Sequence, residues 1–429
     1  MPSSATVPGA DAPSGDRPPE TLGAAGPLVV MLTNDRGIDR RITLQADALE
    51  QAGWRVVIIG MPLDPGMQDS DQRVVRIGAG RGHGSREAVL LGSYRWLRRR
   101  LAINSVLMRS LRTLAWRTVI DPERFYLNLF GEIVLRYQPR VLIAHDLPML
   151  AVAAAAARMQ GAKLVYDSHE LYTEQELTRR ERRRWREIES AYIGTCDMVI
   201  TINPSIAQEL QRRYGLGHVE VISNADRATG LPHDEGRLRR TFQLAPTDRV
   251  LLFQGGLSGG RNLDGLVRAM SMVGSIQVKL VILGDGYLRG TLMRMVKTHG
   301  LEGRVYLHPA VPQSELIGVS AGADAGIIPY QATCLNNYYC TPNKLFEFIA
   351  AGIPILANDL PEIRRVVAGQ AIGLVGAMKS PAEMANLIDQ FFADEERLRN
   401  WKSRLAQVRA ELCWEAEAPR LQGLFERLR

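Results

Sequence analysis

Cysteine is scarce in this chain. Cys196, Cys334, Cys340 and Cys413 are its four, and none has the paired spacing of metal ligands. That excludes a disulfide scaffold and points to a reducing interior. Long apolar runs are missing too. The longest nearly uncharged one, "PMLAVAAAAA", is too short and alanine-rich to span a bilayer. No basic-apolar-small leader opens the chain, so the expected location is cytoplasmic, free or peripheral on the inner face of the cytoplasmic membrane. Broadly distributed basic charge is also absent. Residues 93–117, "SYRWLRRRLAINSVLMRSLRTLAWR", hold seven arginines and no acid, which equals the whole net charge of +7. The remainder is balanced, and no nucleic-acid partner is expected, because a phosphate track needs a wider basic surface.

What is present is enough apolar residue, 46% of 429, to bury a large core. Length favours two domains, or three at most. Residues 1–26, rich in Pro, Gly, Ala and Ser, read as a disordered tail. Strand-like and helix-like segments then alternate. "LVVMLT", an amphipathic run from Arg40 to Gln51, "RVVIIG", "RVLIAHD", "KLVYDSHE", "MVITIN" and "VEVISNA" follow one another with helices between. This rhythm predicts a parallel sheet covered on both faces over 27–225. Residues 226–247 break it and read as a linker with a short helix. The alternation restarts over 248–410 with "RVLLFQGG", "VKLVILGDG", "RVYLHPA", "DAGIIPY" and "IPILAND". The expected fold class is α/β, with two doubly wound Rossmann-like domains facing across a cleft. The last helix, 411–429, is expected to return to the first domain. Ligands in open α/β sheets bind beyond the C-terminal strand ends, so the cleft is the expected site.

Helix starts in the second half favour an anion. In "TPNKLFEFIAAG", Thr341 suits an N-cap, Pro342 a first helical position, and Gly352 a C-terminal stop. The amides of Asn343 and Lys344 would then face outward with the positive end of the helix dipole, and Lys344 adds a full charge. Glu347, one turn on, can accept from vicinal hydroxyls such as those of ribose. A surface Lys344–Glu347 pair on an ordinary capped helix explains the same residues about as well. "FQGGLSGGRNLDGL" shifts the balance. Gly255, Gly256 and two further glycines permit close backbone approach, and Arg261 sits where the next helix begins. Gly284, Asp285 and Gly286 in "LGDGYLRGTL" form a similar turn without a basic group, expected to shape the cleft floor.

"FQGGLSGGRNLDGLVRAM", "LVILGDGYLRGTL", "YLHPAVPQSELIGVSAGADAGIIPY" and "PNKLFEFIAAGIPILANDLPEIRRVV", in this order, resemble the donor domain of family 4 glycosyltransferases with the GT-B fold. "DRRITLQADALEQAGWRVVIIG", "IAHDLPML", "LVYDSHELYTE" and "VISNA" resemble the first domain of that family, so the likeness spans roughly 28–429. It implies a retaining, metal-independent hexosyltransferase with no cofactor. A nucleotide sugar, UDP- or GDP-linked, is its co-substrate, and a glycan or lipid-linked molecule is its acceptor in surface polysaccharide or glycolipid assembly. By the same likeness Arg261 and Lys344 contact the donor diphosphate and Glu347 the ribose. His169 lines the acceptor side, and Gly37, in the loop after the first strand, approaches the donor. Two positions depart from the pattern. Tyr339 stands where the first glutamate of E-x7-E is usual, and Gly256 where an arginine is common.

His169 ends a strand facing the expected cleft, which favours a functional role over a structural one, whereas His145 is taken as structural. Residues 93–117 place apolar residues on one helical face and most arginines on the other. That pattern suits an anionic membrane surface, and equally a helix packed on the core. "RRERRRWRE" at 179–187 is a second basic stretch. Two alternatives stay open: a sugar-nucleotide epimerase sharing the two-domain fold, and a catalytically silent relative that binds a sugar nucleotide or scaffolds a partner.

Overall fold

The computed structural model describes residues 26–63, 69, 71–77, 121–228 and 236–429. The terminal tail and the arginine-rich stretch 93–117 lie outside them. The first half builds a seven-stranded sheet from β1 (Leu28–Leu32), β2 (Arg55–Gly60), β3 (Val74–Arg76), β4 (Val141–His145), β5 (Lys163–Ser168), β6 (Met198–Thr201) and β7 (Glu220–Val221). Its order is β3-β2-β1-β4-β5-β6-β7. The second half builds a six-stranded sheet from β8 (Arg249–Gln254), β9 (Val278–Leu283), β10 (Val305–His308), β11 (Ala325–Ile328), β12 (Ile355–Asn358) and β13 (Gly373–Gly376). Its order is β10-β9-β8-β11-β12-β13. Every pairing is parallel. The chain reverses its direction of winding between β1 and β4, and again between β8 and β11. Each reversal opens a crevice at the C-terminal strand ends.

The strands are nearly continuous apolar runs because both faces are covered. All five residues of β1 are buried, as are five of the six in β9. Nine helices among those of the described residues bear on the site and its framework. They are α1 (Arg40–Gln51), α2 (Leu147–Gln160), α3 (Arg179–Tyr192), α4 (Pro204–Tyr214), α5 (Leu263–Met270), α6 (Leu335–Tyr338), α7 (Asn343–Ala351), α8 (Glu395–Glu411) and α9 (Trp414–Glu426). Helix α7 stops at Gly352, whose φ of +70° is the left-handed conformation glycine adopts freely.

The stretch expected to be a linker is not uniform. Its short helix, Arg237–Phe242, buries Leu238 in the core of the second domain. At the far end, α8 packs Leu398, Trp401, Leu405 and Val408 on that same core. Helix α9 crosses back: Trp414, Leu421, Leu424 and Phe425 join Ile42, Leu49 and Trp54 in one apolar cluster of the first domain. Trp54 and Phe425 meet edge to face with centroids 6.1 Å apart. The arginines of α3 are largely paired within the protein, Arg183 with Glu187, Arg184 with Asp121 and Glu123, and Arg186 with Glu174. Leu421 is fully buried where α9 meets α1. Its truncation to alanine should cost about 2–5 kcal/mol. Urea unfolding followed on the first domain should show a lowered midpoint, and an unchanged midpoint would show that α9 does not hold that domain together.

Candidate active site

Lys344 lies at the second residue of α7. Its side chain turns inward rather than to solvent, and the residue is only 5% exposed. The ammonium donates to the Tyr330 hydroxyl at 2.6 Å and sits 4.4 Å from that ring's centroid and 4.8 Å from the centroid of Phe253. An ammonium has three donors, and among the described residues only one acceptor is in place. Arg261 approaches the same phenol, its guanidinium carbon 5.5 Å from the ring centroid. It also donates to Ser258 Oγ and, at 3.4 Å, to the Gly259 carbonyl, while its buried Nε has no partner among the described residues. Two cations therefore share one aromatic ring at the amino end of a helix. Cation–π attraction holds each, but among the described residues no carboxylate pairs with either.

Glu347 is 7% exposed and does not pair with Lys344, contrary to the surface-pair alternative. Ser320 Oγ donates to Gln254 Oε1 at 2.6 Å, and Gln254 Nε2 donates to Glu347 Oε2 at 2.6 Å. This strut from the end of β8 aims the carboxylate. Its other oxygen lies 3.8 Å from Arg40, which reaches over from the first turn of α1 and also pairs with Asp226. The loop carrying Gly37 leads directly into that turn. Gly37 itself is exposed, with open space around it.

The glycine turns divide the labour. A Cβ at Gly284 would come 2.0 Å from the Gly255 carbonyl oxygen, and one at Gly286 2.3 Å from that of Leu257. Both glycines are needed so that the second turn can support the first, which Leu257 N–H donating to the Asp285 carbonyl at 2.9 Å completes. The Asp285 carboxylate accepts from Ala310 N–H at 3.0 Å and faces Arg289, so it pins neighbouring loops. Gly255 backs onto Lys344, whose Nζ would lie 3.4 Å from an added Cβ, and Gly256 faces open space.

Thr341 does not cap α7. The N-cap is Pro342, in extended conformation, and the helix begins one residue later than expected, at Asn343. Thr341 is buried and its hydroxyl accepts from Asn203 Nδ2, across the cleft, at 3.2 Å. Asn343 is likewise met from the first domain, its Oδ1 accepting from Asn224 Nδ2 at 3.3 Å. Residue type alone suggests a cap at Thr341, but a partner from the other domain outcompetes it.

On the first domain, His169 directly follows β5 inside a polar cluster. Its Nδ1 is 3.3 Å from Asp146 Oδ2 and its Nε2 3.1 Å from Asp167 Oδ2 and 3.2 Å from His145 Nδ1. Burial alone would lower its pKa, but Asp146 and Asp167 outweigh that and hold it well above the ordinary histidine value. His145 is fully buried and goes the other way: burial lowers it despite Asp167. Asp167 stays well below the carboxylate range in spite of burial, because Arg41 and then His169 face it. Arg41 donates to both its oxygens, at 3.0 and 2.8 Å, and Gln45 donates as well. His145, Asp167 and His169 stand close enough to ligate an ion, but the Arg41 guanidinium already occupies the position of positive charge.

Asp146 was missed by sequence reasoning. It precedes α2 with a φ of +61°, an unfavourable backbone for a residue with a Cβ. Its carboxylate accepts from His169 N–H at 3.0 Å besides facing the ring. Gln254 and Tyr330 were missed as well, and Asn336 stood near the site in the sequence without an assignable role. The "HD" after a strand was the one visible signal, and amides and phenols carry none.

A model described as glycosyl transferase 4-like domain matches residues 36–225, and one described as glycosyl transferases group 1 matches 234–407. The chain belongs to the family 4 glycosyltransferases with the GT-B fold. The chain is 28% identical over 143 residues to a chitobiosyldiphosphodolichol beta-mannosyltransferase of Candida albicans, covering 33% of this chain and 31% of that one. It is 24% identical over 255 residues to a D-inositol 3-phosphate glycosyltransferase of Xylanimonas cellulosilytica, covering 55% and 58%. The chain thus spans less than two thirds of those curated relatives. Among solved structures, sucrose-phosphate synthase of Thermosynechococcus elongatus superposes with a TM-score of 0.72 at 17% identity, covering 94% of this chain and 99% of that one. WaaG, a glycosyltransferase involved in lipopolysaccharide biosynthesis, gives 0.60 at 14% identity, covering 92% and 99%. HepE of Anabaena in complex with UDP and glucose gives 0.68 at 15% identity, covering 94% and 100%. Among the described residues, no helix is long and apolar enough to cross a membrane.

The sign of each shift sets a pH window. His169, raised, contributes stability in full below the ordinary histidine value and loses it as pH climbs through the raised one. Asp167, lowered, contributes above the ordinary carboxylate range and loses it as pH falls through its depressed value. The cluster is therefore intact around neutrality. Long-range 1H–15N spectra should show His169 as imidazolium and His145 as neutral imidazole at pH 7, and Asp167→Asn should lower the His169 titration. A His169 that titrates at or below the ordinary value would refute this charge assignment.

Proposed function

We propose that this glycosyltransferase takes a hexose from a UDP- or GDP-sugar and passes it, with retention of configuration and without a metal ion, to a glycan or lipid-linked acceptor in surface polysaccharide or glycolipid assembly. The observation that carries this is the pairing of Arg261 and Lys344 against one ring, Tyr330, at the amino end of α7. A diphosphate supplies the acceptors that the ammonium, the buried guanidinium Nε and the first helix amides lack. Glu347, steadied by Gln254, is proposed to accept from the ribose hydroxyls, displacing Arg40 from its free oxygen.

Cleavage of the bond from sugar to diphosphate puts negative charge on phosphate and positive character on the sugar ring. Cations fixed beside the phosphate stabilise the transition state more than the ground state, which is what accelerates the step. They also supply the neutralisation that a divalent ion gives elsewhere. The departing phosphate oxygen takes the acceptor proton on the same face. His169 has both nitrogens turned to carboxylates, so it offers no lone pair and contributes a fixed positive charge at the acceptor side. Tyr339 packs its ring against the core of the first domain, so this position presents no carboxylate to the hexose. HepE complexes with UDP and with UDP-glucose support the donor class.

A second reading, a sugar-nucleotide epimerase, is favoured by the carboxylates around His169. Asp35 is raised by burial and then by Asp146, and Glu170 is pushed by burial and then by Asp146 up to about 7. Epimerisation of the sugar with release of free nucleotide and no acceptor product would distinguish it.

Lys344→Ala and Arg261→Ala should each lower turnover on the order of 100-fold, with the wild type insensitive to EDTA. A panel of UDP-, GDP-, ADP- and dTDP-sugars read by thermal shift identifies the donor, since ligand at ~100 times Kd adds about 2.7 kcal/mol. Normal turnover by both variants with a verified acceptor would remove the phosphate assignment. Peripheral membrane contact through 93–117 rests on its seven arginines without an acid. Changing Arg98, Arg99 and Arg109 to glutamate should release the protein from anionic vesicles while donor binding persists, and unchanged co-sedimentation would end that proposal.

A further inference from the structure

The transferase needs its two half-sites in register, with the donor phosphates on α7 and the acceptor beside His169. A short segment of the second domain is built into the first. Asn336, on α6, is 9% exposed, and both ends of its amide are committed across the cleft. Its Oδ1 accepts from Leu171 N–H at 2.9 Å and its Nδ2 donates to Glu170 Oε2 at 2.8 Å. Those are the two residues that follow His169. On either side, Leu335 and Tyr339 pack against the apolar core of the first domain. Asn203 then donates to the Tyr339 carbonyl at 2.8 Å and to Thr341 Oγ1 at 3.2 Å, which ends the segment at the threshold of α7. Seven residues thus join the loop of His169 to the helix start that carries Lys344.

We propose that Asn336 is a positioning residue that sets the His169 loop against the amino end of α7, so that the acceptor-side charge and the donor phosphate site are aligned together. The proposal rests on the transferase reading above. Both hydrogen bonds of Asn336 go to consecutive residues of one loop, so a rigid-body shift of either domain breaks both at once. A bond to a single group would tolerate sliding. A clamp of two fixes distance and angle. Glu170 is held from its other side by Gln175, so its position is set by the first domain and Asn336 reads it from the second. The loss of such a contact acts on geometry between bound groups rather than on the binding of either. It should appear in kcat rather than in donor KM.

Three variants test this. Asn336→Ala removes the clamp. Asn336→Asp keeps the acceptor for Leu171 but sets a carboxylate against Glu170. The double variant N336D/E170Q reverses the polarity of the side-chain hydrogen bond at unchanged charge and shape, and serves as the rescue. With the donor found by thermal shift and a lipid-extract acceptor, each single variant should lose roughly 10- to 100-fold in kcat, with donor KM changed less than about threefold. The double variant should recover most of the loss. Amide hydrogen exchange at Leu171 should rise in Asn336→Ala and return in the double variant, which also reports whether the variants are folded. If the wild type transfers sugar and Lys344→Ala abolishes it, yet Asn336→Ala keeps its kcat, the inference is overturned alone. The same holds if the loss lies wholly in donor KM or if the double variant stays as low as the singles. If the wild type transfers nothing from any sugar nucleotide of the panel, the transferase reading and the inference fall together.

Discussion

A buried ammonium with too few acceptors is the constraint around which the second domain is arranged. Lys344 is drawn under Tyr330 and beside Phe253, and Arg261 comes to the other side of the same phenol. Like charges brought together in a dry place raise the free energy of the empty protein unless an anion is near. Several neighbouring contacts hold them there. The Gly284–Gly286 turn props the Gly255–Leu257 turn from behind, and Asn358 donates to the Tyr330 carbonyl at 2.5 Å. Helix α7 adds its own dipole to the same spot. The proposed anion site would thus follow from where charges are held, with no single residue responsible for it.

The first domain mirrors this arrangement with opposite sign. Carboxylates Asp146 and Asp167 converge on one imidazole, and Arg41 keeps Asp167 ionised in a fully buried position. Arg40 and Arg41 are neighbours in sequence at the first turn of α1, yet they diverge. Arg41 turns inward to Asp167 and the carbonyl of Ile222, and Arg40 turns outward to Asp226 and Glu347. One helix start therefore touches both halves of the cleft. Electrostatics of the two half-sites are linked through it as well as through α6.

The strain at Asp146 fits this picture. A left-handed backbone at a residue with a Cβ persists only where the surroundings over-determine it. Here its carboxylate is fixed twice by His169, through the main chain and through the ring. Replacing a direct helix cap with a bond to the neighbouring strand end leaves α2 uncapped by its own N-cap side chain. Local helix stability is given up for the geometry of the cluster.

Sequence alone was enough for the alternation of strand and helix, both doubly wound sheets, the Gly352 stop and the cations Arg261 and Lys344, because periodicity, glycine turns and basic residues at helix starts are local signals. It also pointed to His169 from its place at a strand end. It did not reveal that Lys344 and Glu347 face inward on separate partners, that Thr341 is bound by Asn203 instead of capping, or that Asn336 clamps the loop after His169. Those outcomes depend on groups more than a hundred residues away in the chain or on which face of a helix is buried. Tertiary packing alone decides them, since a hydrogen bond in a closed cleft is worth more than the same local bond left to compete with water.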